Sequence, residues 1–145
     1  MAKFILRSPK SDKEFEQYFY FRWQQLREPL KLPRGSEQDD LEDQAFHCMA
    51  IMPNQKIIGV GRINHELNNA MRIRYMAVDQ TVQSKGVGSA ILQKLIEYAK
   101  QKHAKTCWLN AREKACTFYL KQGFEIQDKI ESDLNIPHFR MEKKI

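Results

Sequence analysis

The chain has 145 residues, 42% of them apolar and 29% charged, with a formal net charge of +6. That length fits one domain, residues 1–145, able to bury about 70% of the surface its unfolded form exposes. No apolar stretch approaches the roughly 20 residues of a bilayer span, and the Met1–Arg7 start is too short and too soon charged for a secretory leader, so a soluble, cytoplasmic protein with no membrane partner is expected.

Lys3 to Arg7 reads as a short strand. Ser11 with Glu14 three residues on has capping-box form, and Phe15, Phe19, Trp23 and Leu26 then recur at helical spacing, which predicts an amphipathic first helix with those four on its apolar face. Pro29, Pro33, Gly35 and an acidic run break the pattern, so Glu28 to Glu37 is a loop, with room for a short helix through Asp43. Ala45 to Met52 and Lys56 to Ile63 form a hairpin across Pro53-Asn54-Gln55. Asn68-Asn69 turns the chain into a further strand, Met71 to Val78, because asparagine tolerates left-handed geometry.

After Gly88, residues Ile91, Leu92, Leu95, Ile96 and Ala99 form one face of a helix. Thr106 to Asn110 is a strand, Glu113 to Gln122 a helix closed by Gly123, and two strands follow around Phe124 to Ile130 and Ile136 to Lys143. The order β, α, β, β, β, α, β, α, β, β predicts an α/β (α+β) protein whose mixed sheet carries helices on both faces.

Gln83-Ser84-Lys85-Gly86-Val87-Gly88 lies between a strand and a helix. Two glycines let the backbone approach a ligand and take positive φ, so successive amides can turn toward one anion. The following helix adds unpaired N–H groups and its dipole, which alone supplies only about 0.3 to 1 kcal/mol. The spacing is neither GxGxxG nor GxxxxGK[ST]. Seven basic residues between Ser84 and Lys114 face only Glu97 and Glu113, whereas Glu37, Asp39, Asp40, Glu42 and Asp43 cluster upstream. One region would attract a polyanion, the other a cation.

QxxGxG in this setting resembles the signature of the GNAT superfamily of acyl-CoA-dependent N-acetyltransferases. Ala115-Cys116-Thr117-Phe118-Tyr119-Leu120-Lys121-Gln122-Gly123-Phe124 looks like the family's AxxxYxxxGF segment, and the element order is the family's order. Asn135-Ile136-Pro137-His138-Phe139-Arg140-Met141 and Asp43-Gln44-Ala45-Phe46-His47 are similar to the IPHxxM and DxxxH segments of a small group that includes ElaA-like acetyltransferases. The resemblance implies the GNAT fold and acetyl-CoA as donor. It places the pyrophosphate on Gln83, Ser84, Lys85, Gly86, Val87, Gly88 and Ser89, and the pantetheine beside the backbone of Met76, Ala77 and Val78. Many members carry asparagine seven residues before the tyrosine. Here that position is Arg112, and Asn110 is the candidate for the corresponding contact. A homodimer is compatible with the resemblance.

Moving acetyl from a thioester to an amine requires a polarised carbonyl, a neutral amine and a proton for the thiolate. Tyr119 is the candidate acid, since a phenol can protonate a thiolate within hydrogen-bond reach. An amine of pKa about 10.4 costs roughly 4 kcal/mol to neutralise near pH 7.5, so a base is useful. Arg72-Ile73-Arg74-Tyr75 offers no carboxylate, which leaves His138 and His47, with Glu42 and Asp43 as further acceptors. Glu42 and Asp43 could attract a cationic amine, whereas Arg27 or Arg34 could bind a substrate carboxylate. His65 and His103 read as surface residues.

The reading is an N-acetyltransferase acting on a primary amine by direct attack in a ternary complex. A non-catalytic acyl-CoA sensor is the alternative, and an acyl-cysteine route through Cys116 is weaker. The basic residues form no single stripe interleaved with aromatics, which disfavours a nucleic-acid partner. Cys48, Cys107 and Cys116 lack CxxC spacing, so neither a disulfide framework nor a metal site is expected.

Overall fold

Seven strands form one mixed sheet in the spatial order β1-β2-β3-β4-β5-β7-β6. The computed structural model describes residues 3–132 and 134–145. The elements are β1 (Ile5–Arg7), α1 (Asp12–Leu26), β2 (Phe46–Ile51), β3 (Ile57–His65), β4 (Ala70–Val78), α2 (Val87–Gln101), β5 (Thr106–Arg112), α3 (Cys116–Lys121), β6 (Glu125–Ile130) and β7 (His138–Lys144). Short 3-10 turns, including Glu42–Gln44, punctuate the connections. All neighbouring strands run antiparallel except β4 and β5.

Local chemistry explains most boundaries. Ser11 caps α1 by accepting from the Glu14 amide at 3.1 Å. The Glu14 carboxylate reaches back to the Lys10 amide rather than to Ser11, and also holds Arg7 through two bonds of 2.8 and 2.7 Å. Asn68 and Asn69 both adopt left-handed φ, 63° and 58°, as the β3–β4 turn requires.

The main core lies between the sheet and α2, where Ile91, Leu92, Leu95 and Ala99 are wholly buried. Its closeness depends on β3: a Cβ at Gly59 would sit 2.7 Å from Ile91, and one at Gly61 would sit 2.7 Å from Met76 and 2.8 Å from Ile91. The opposite face is covered by α1. Its buried line is Tyr18, Phe21 and Arg22, while Phe15, Phe19, Trp23 and Leu26 are only half-buried. The predicted apolar stripe is therefore rotated. Arg22 can sit in the core because its guanidinium finds a carboxylate, a carbonyl and aromatic faces there.

Candidate active site

The parallel pairing of β4 with β5 covers only Ala70↔Thr106, Met71↔Cys107 and Arg72↔Trp108. Beyond these residues the strands have no register with each other, so the sheet is split toward the C-terminal ends of both. A bulge in β4 coincides with the split: the register with β3 shifts between Val60↔Ala77 and Arg62↔Arg74. Tyr75 takes φ 60° within it, a conformation uncommon outside glycine and asparagine. Met76 completes the bulge, and Ala77 and Val78 lie beyond it, where β5 offers no pairing partner.

α2 begins at the end of this gap. Ser84 and Gly86 adopt φ 66° and 87°, and no side chain caps the helix. The first helical bond into α2 runs from the Ala90 amide to the Gly86 carbonyl at 3.0 Å. Among the described residues, no well-formed hydrogen bond occupies the amides of Gly86, Val87, Gly88 or Ser89. Four successive donors at a helix N-terminus fit a pyrophosphate. Gln83, Ser84, Lys85 and Gly86 are exposed, whereas the Val87 side chain is buried in the core and can offer only its backbone. Ser89 Oγ accepts from Gln122 Nε2 at 2.9 Å, which leaves its own proton free to donate.

α3 closes the other side. A Cβ on Gly88 would lie 3.4 Å from Phe118 and 3.6 Å from Val78, so the ends of β4, α2 and α3 meet at one point. Tyr119 follows Phe118 and is 7% exposed, packed edge-on against Phe118 and Phe124. Buried tyrosines normally bond their hydroxyl. Among the described residues this hydroxyl has no partner, nor is it an enclosed, unsatisfied atom. Burial, then the nearby Cys116, pushes its pKa well above the ordinary value, so the phenol stays protonated. Cys116 is itself a buried thiol whose pKa is raised by desolvation and Glu113.

On the α1 side the surface is dense in arginine. Arg62 chelates Asp39 at 2.7 and 3.0 Å, Arg74 reaches Asp39 at 2.8 Å, and Glu42 pairs with Arg22 at 2.8 Å and Arg62 at 3.0 Å. Three cations thus share two carboxylates. Asp43 is exposed. The Tyr75 ring lies under the guanidiniums of Arg22 at 4.1 Å, Arg74 at 4.5 Å, Arg62 at 5.1 Å and Arg27 at 5.8 Å. Arg34 instead stands over Tyr20 and Trp23, at 5.1 and 5.5 Å.

The two histidines differ in what they leave free. His47 is 4% exposed, with Nε2 2.7 Å from the Glu42 carbonyl and Nδ1 3.0 Å from the Tyr18 hydroxyl. Burial lowers its pKa and favours the neutral ring. Nε2–H then donates to the carbonyl, and Nδ1 faces the Tyr18 hydroxyl, whose single proton is shared between Nδ1 and the Gly61 carbonyl, each at 3.0 Å, so both nitrogens are enclosed by protein groups. His138 opens β7 opposite Arg112, and its Nδ1 lies 2.8 Å from the Ile136 carbonyl. A carbonyl only accepts, so that nitrogen carries the proton when the ring is neutral, leaving the Nε2 lone pair without a protein partner among the described residues. His65 and His103 are exposed.

Buried arginines at positions 22 and 62, and the Tyr75 bulge, escaped the sequence reading. An arginine inside the apolar run Ile57–Ile63 was a legible hint that strand β3 carries a buried ion pair. Among the described residues, two further enclosed polar atoms lack a partner, Asn110 Oδ1 on β5 and Arg72 Nε on β4. No helix is long and apolar enough to cross a membrane, and no cluster of metal-ligating side chains occurs among the described residues.

A family model described as the acetyltransferase (GNAT) family matches residues 10–124. The uncharacterised N-acetyltransferase YjcF of Bacillus subtilis (strain 168) is 28% identical over 135 residues, 92% of this chain and 95% of that protein. Among solved structures, a GNAT-family acetyltransferase of Staphylococcus aureus Mu50 superposes with a TM-score of 0.83 at 17% identity, covering 98% and 99% of the two chains. Escherichia coli ElaA gives 0.80 at 19% identity over 99% of each chain. An aminoglycoside 6'-N-acetyltransferase complexed with coenzyme A gives 0.80 at 12% identity, over 97% and 96%.

Proposed function

The chain belongs to the GNAT family of acetyltransferases, and on that footing we propose that it moves acetyl from acetyl-CoA to a primary amine by direct attack in a ternary complex. The observation that carries this reading is the row of unpartnered amides from Gly86 to Ser89, set where β4 parts from β5 and within reach of α3.

Bound acetyl-CoA supplies the activated thioester. The amides of Gly86, Val87, Gly88 and Ser89, with Gln83, Ser84 and Lys85 around them, hold the pyrophosphate. The free edge of Met76, Ala77 and Val78 aligns the pantetheine in strand fashion. An N–H of that edge polarises the carbonyl, an interaction of the type worth about 10²–10³ in turnover elsewhere. Asn110, on the part of β5 that no longer pairs with β4 and with an Oδ1 that lacks a donor among the described residues, is a further candidate contact.

Tyr119 donates its phenolic proton toward the departing sulfur. The raised pKa supports this by keeping the donor protonated throughout the neutral range. His138 removes the amine proton at Nε2, and its bond to Ile136 fixes the tautomer. His47, with both nitrogens engaged, holds the α1 interface instead. A covalent route is disfavoured because the raised pKa of Cys116 keeps it a thiol.

Thiol release from acetyl-CoA by the purified protein, measured against polyamines, amino acids, aminoglycosides and lysine peptides, tests this reading. Turnover with one amine class supports the transferase. Tight acetyl-CoA binding without turnover on any amine would favour the sensor, a binding module with the same cradle.

A further inference from the structure

Two guanidiniums converge on one carbonyl oxygen at the mouth of the split sheet. Arg27 donates from Nη1 to the Leu26 carbonyl at 3.2 Å, and Arg112 donates from Nη2 to the same oxygen at 2.9 Å. Arg27 also donates from Nε to the Ser36 carbonyl at 3.0 Å and is only 8% exposed. Among the described residues neither has a carboxylate within ion-pair distance. Asp39 and Glu42 are already shared by Arg22, Arg62 and Arg74, and the Glu37 carboxylate is taken by the Gly35 amide, Gln38 and Arg34.

Like charges held this close need a reason. The C-terminal end of α1 favours cations, and a single carbonyl satisfies one N–H of each group. The remaining N–H groups, Arg27 Nη2 and Arg112 Nη1 and Nε, have no acceptor among the described residues. Desolvation lowers the pKa of both residues, and for Arg27 the charges of Arg112, Arg74 and Arg22 add to that effect. The pair is thus a fork-shaped donor set in a positive field, the arrangement that recognises a carboxylate or phosphate.

Its position connects it to the chemistry. Arg27 lies over Tyr75, at the bulge where β4 leaves β5, and Arg112 ends β5 directly opposite His138. Side chains of directly opposed residues stand about 4.5–5.5 Å apart at Cβ. The pair and the histidine therefore stand side by side, on the sheet face away from α2.

We propose that the acceptor is an amine bearing an oxyanion, a carboxylate or phosphate group a few bonds from its nitrogen, with the oxyanion held by Arg27 and Arg112 and the amine delivered to His138. This rests on the transferase reading above, and of the two alternatives the sequence left open it takes the oxyanion bound by Arg27, with Arg112 rather than Arg34 as its companion.

The test uses matched acceptors: the amino acids, their carboxamides, the corresponding decarboxylated amines, and phosphoethanolamine beside ethanolamine. Thiol release is measured for the natural protein and for Arg112→Met, Arg112→Lys and Arg27→Lys, each checked for a retained melting transition. The same acceptors are titrated calorimetrically with CoA present. We expect at least one oxyanion-bearing amine to exceed its neutral partner about 100-fold in kcat/KM. Arg112→Met should erase that preference through the acceptor KM, leaving the KM for acetyl-CoA unchanged, and Arg112→Lys should keep part of it. Preference for phosphoethanolamine over every amino acid would support the fork and identify phosphate as its ligand. Equal use of charged and neutral partners, or equal loss on both in Arg112→Met, overturns the proposal. If acetyl-CoA is not turned over at all, the titration still decides. Binding of oxyanion amines that is lost in Arg112→Met supports the fork, and absence of such binding overturns it.

Discussion

Gln122 donates from Nε2 to Ser89 Oγ at 2.9 Å, tying the residue that closes α3 to the first turn of α2. Through it the helix that carries Tyr119 is referenced to the row of free amides. The Gln122 carbonyl in turn accepts from Lys143 at 2.8 Å, which anchors the same corner to β7. Gln122→Leu should remove about 1 kcal/mol of stability, the net worth of one such bond, in urea unfolding. It should also raise the KM for acetyl-CoA a few-fold. Loss of stability with an unchanged KM would mean that the corner does not position the donor site.

Gly61 and Gly86 are expected to fail in opposite ways. A Cβ at Gly61 meets Met76 and Ile91 inside 3 Å, so Gly61→Ala should cost about 1–3 kcal/mol by forcing α2 away from β3. A Cβ at Gly86 meets nothing within 4 Å, so Gly86→Ala should cost only about 1–2 kcal/mol through its φ of 87°. CoA titration separates them further: Gly86→Ala should bind more weakly than its melting temperature would suggest.

The pH dependence of turnover reports on the base. His138→Gln should lower kcat about 100-fold near pH 7.5. Its rate should then climb about tenfold per pH unit, because only the amine that has lost its proton spontaneously can react. Parallel profiles for variant and natural protein would remove His138 from the reaction.

Asp39 links the arginine network to acid stability. Burial opposes its charge, but hydrogen bonds from Arg62 and the Leu41 amide, with the charges of Arg62 and Arg74, outweigh it and hold the pKa at about 2. A depressed carboxylate pKa contributes stability above the unfolded value near 4, and that contribution is lost as pH falls through the folded value. Stability of the natural protein should therefore drop by about 2 kcal/mol between pH 4 and 2 on this account. Asp39→Asn should lose about 3 kcal/mol at pH 7, since Arg62 is wholly buried, and show a shallower acid limb. Urea midpoints across that range check both.

The frame of the protein was legible because its signals are local. Glycine spacing marked the turn into α2, asparagines marked the β3–β4 turn, and the α2 face follows a 3.6-residue period. The arginine-rich α1 side was not legible, because its order comes from long-range pairing. Hydropathy places Arg22 and Arg62 on the surface, and only Asp39 and Glu42, distant in sequence, explain why they are buried. The same limit rotated the α1 stripe: Phe15 and Trp23 read as core, yet Tyr18 and Arg22 occupy it because they bond His47, Gly61 and Glu42. The positive φ of Tyr75 has no composition cue at all.

The most direct measurement is the pre-steady-state and steady-state release of CoA by Tyr119→Phe with the best acceptor, beside a titration of CoA binding. With Tyr119 as the acid, kcat should fall about 100-fold or more while the CoA dissociation constant stays within about twofold. An unchanged kcat, or an equal loss of binding and turnover, would contradict that role and make Tyr119 a packing residue of α3.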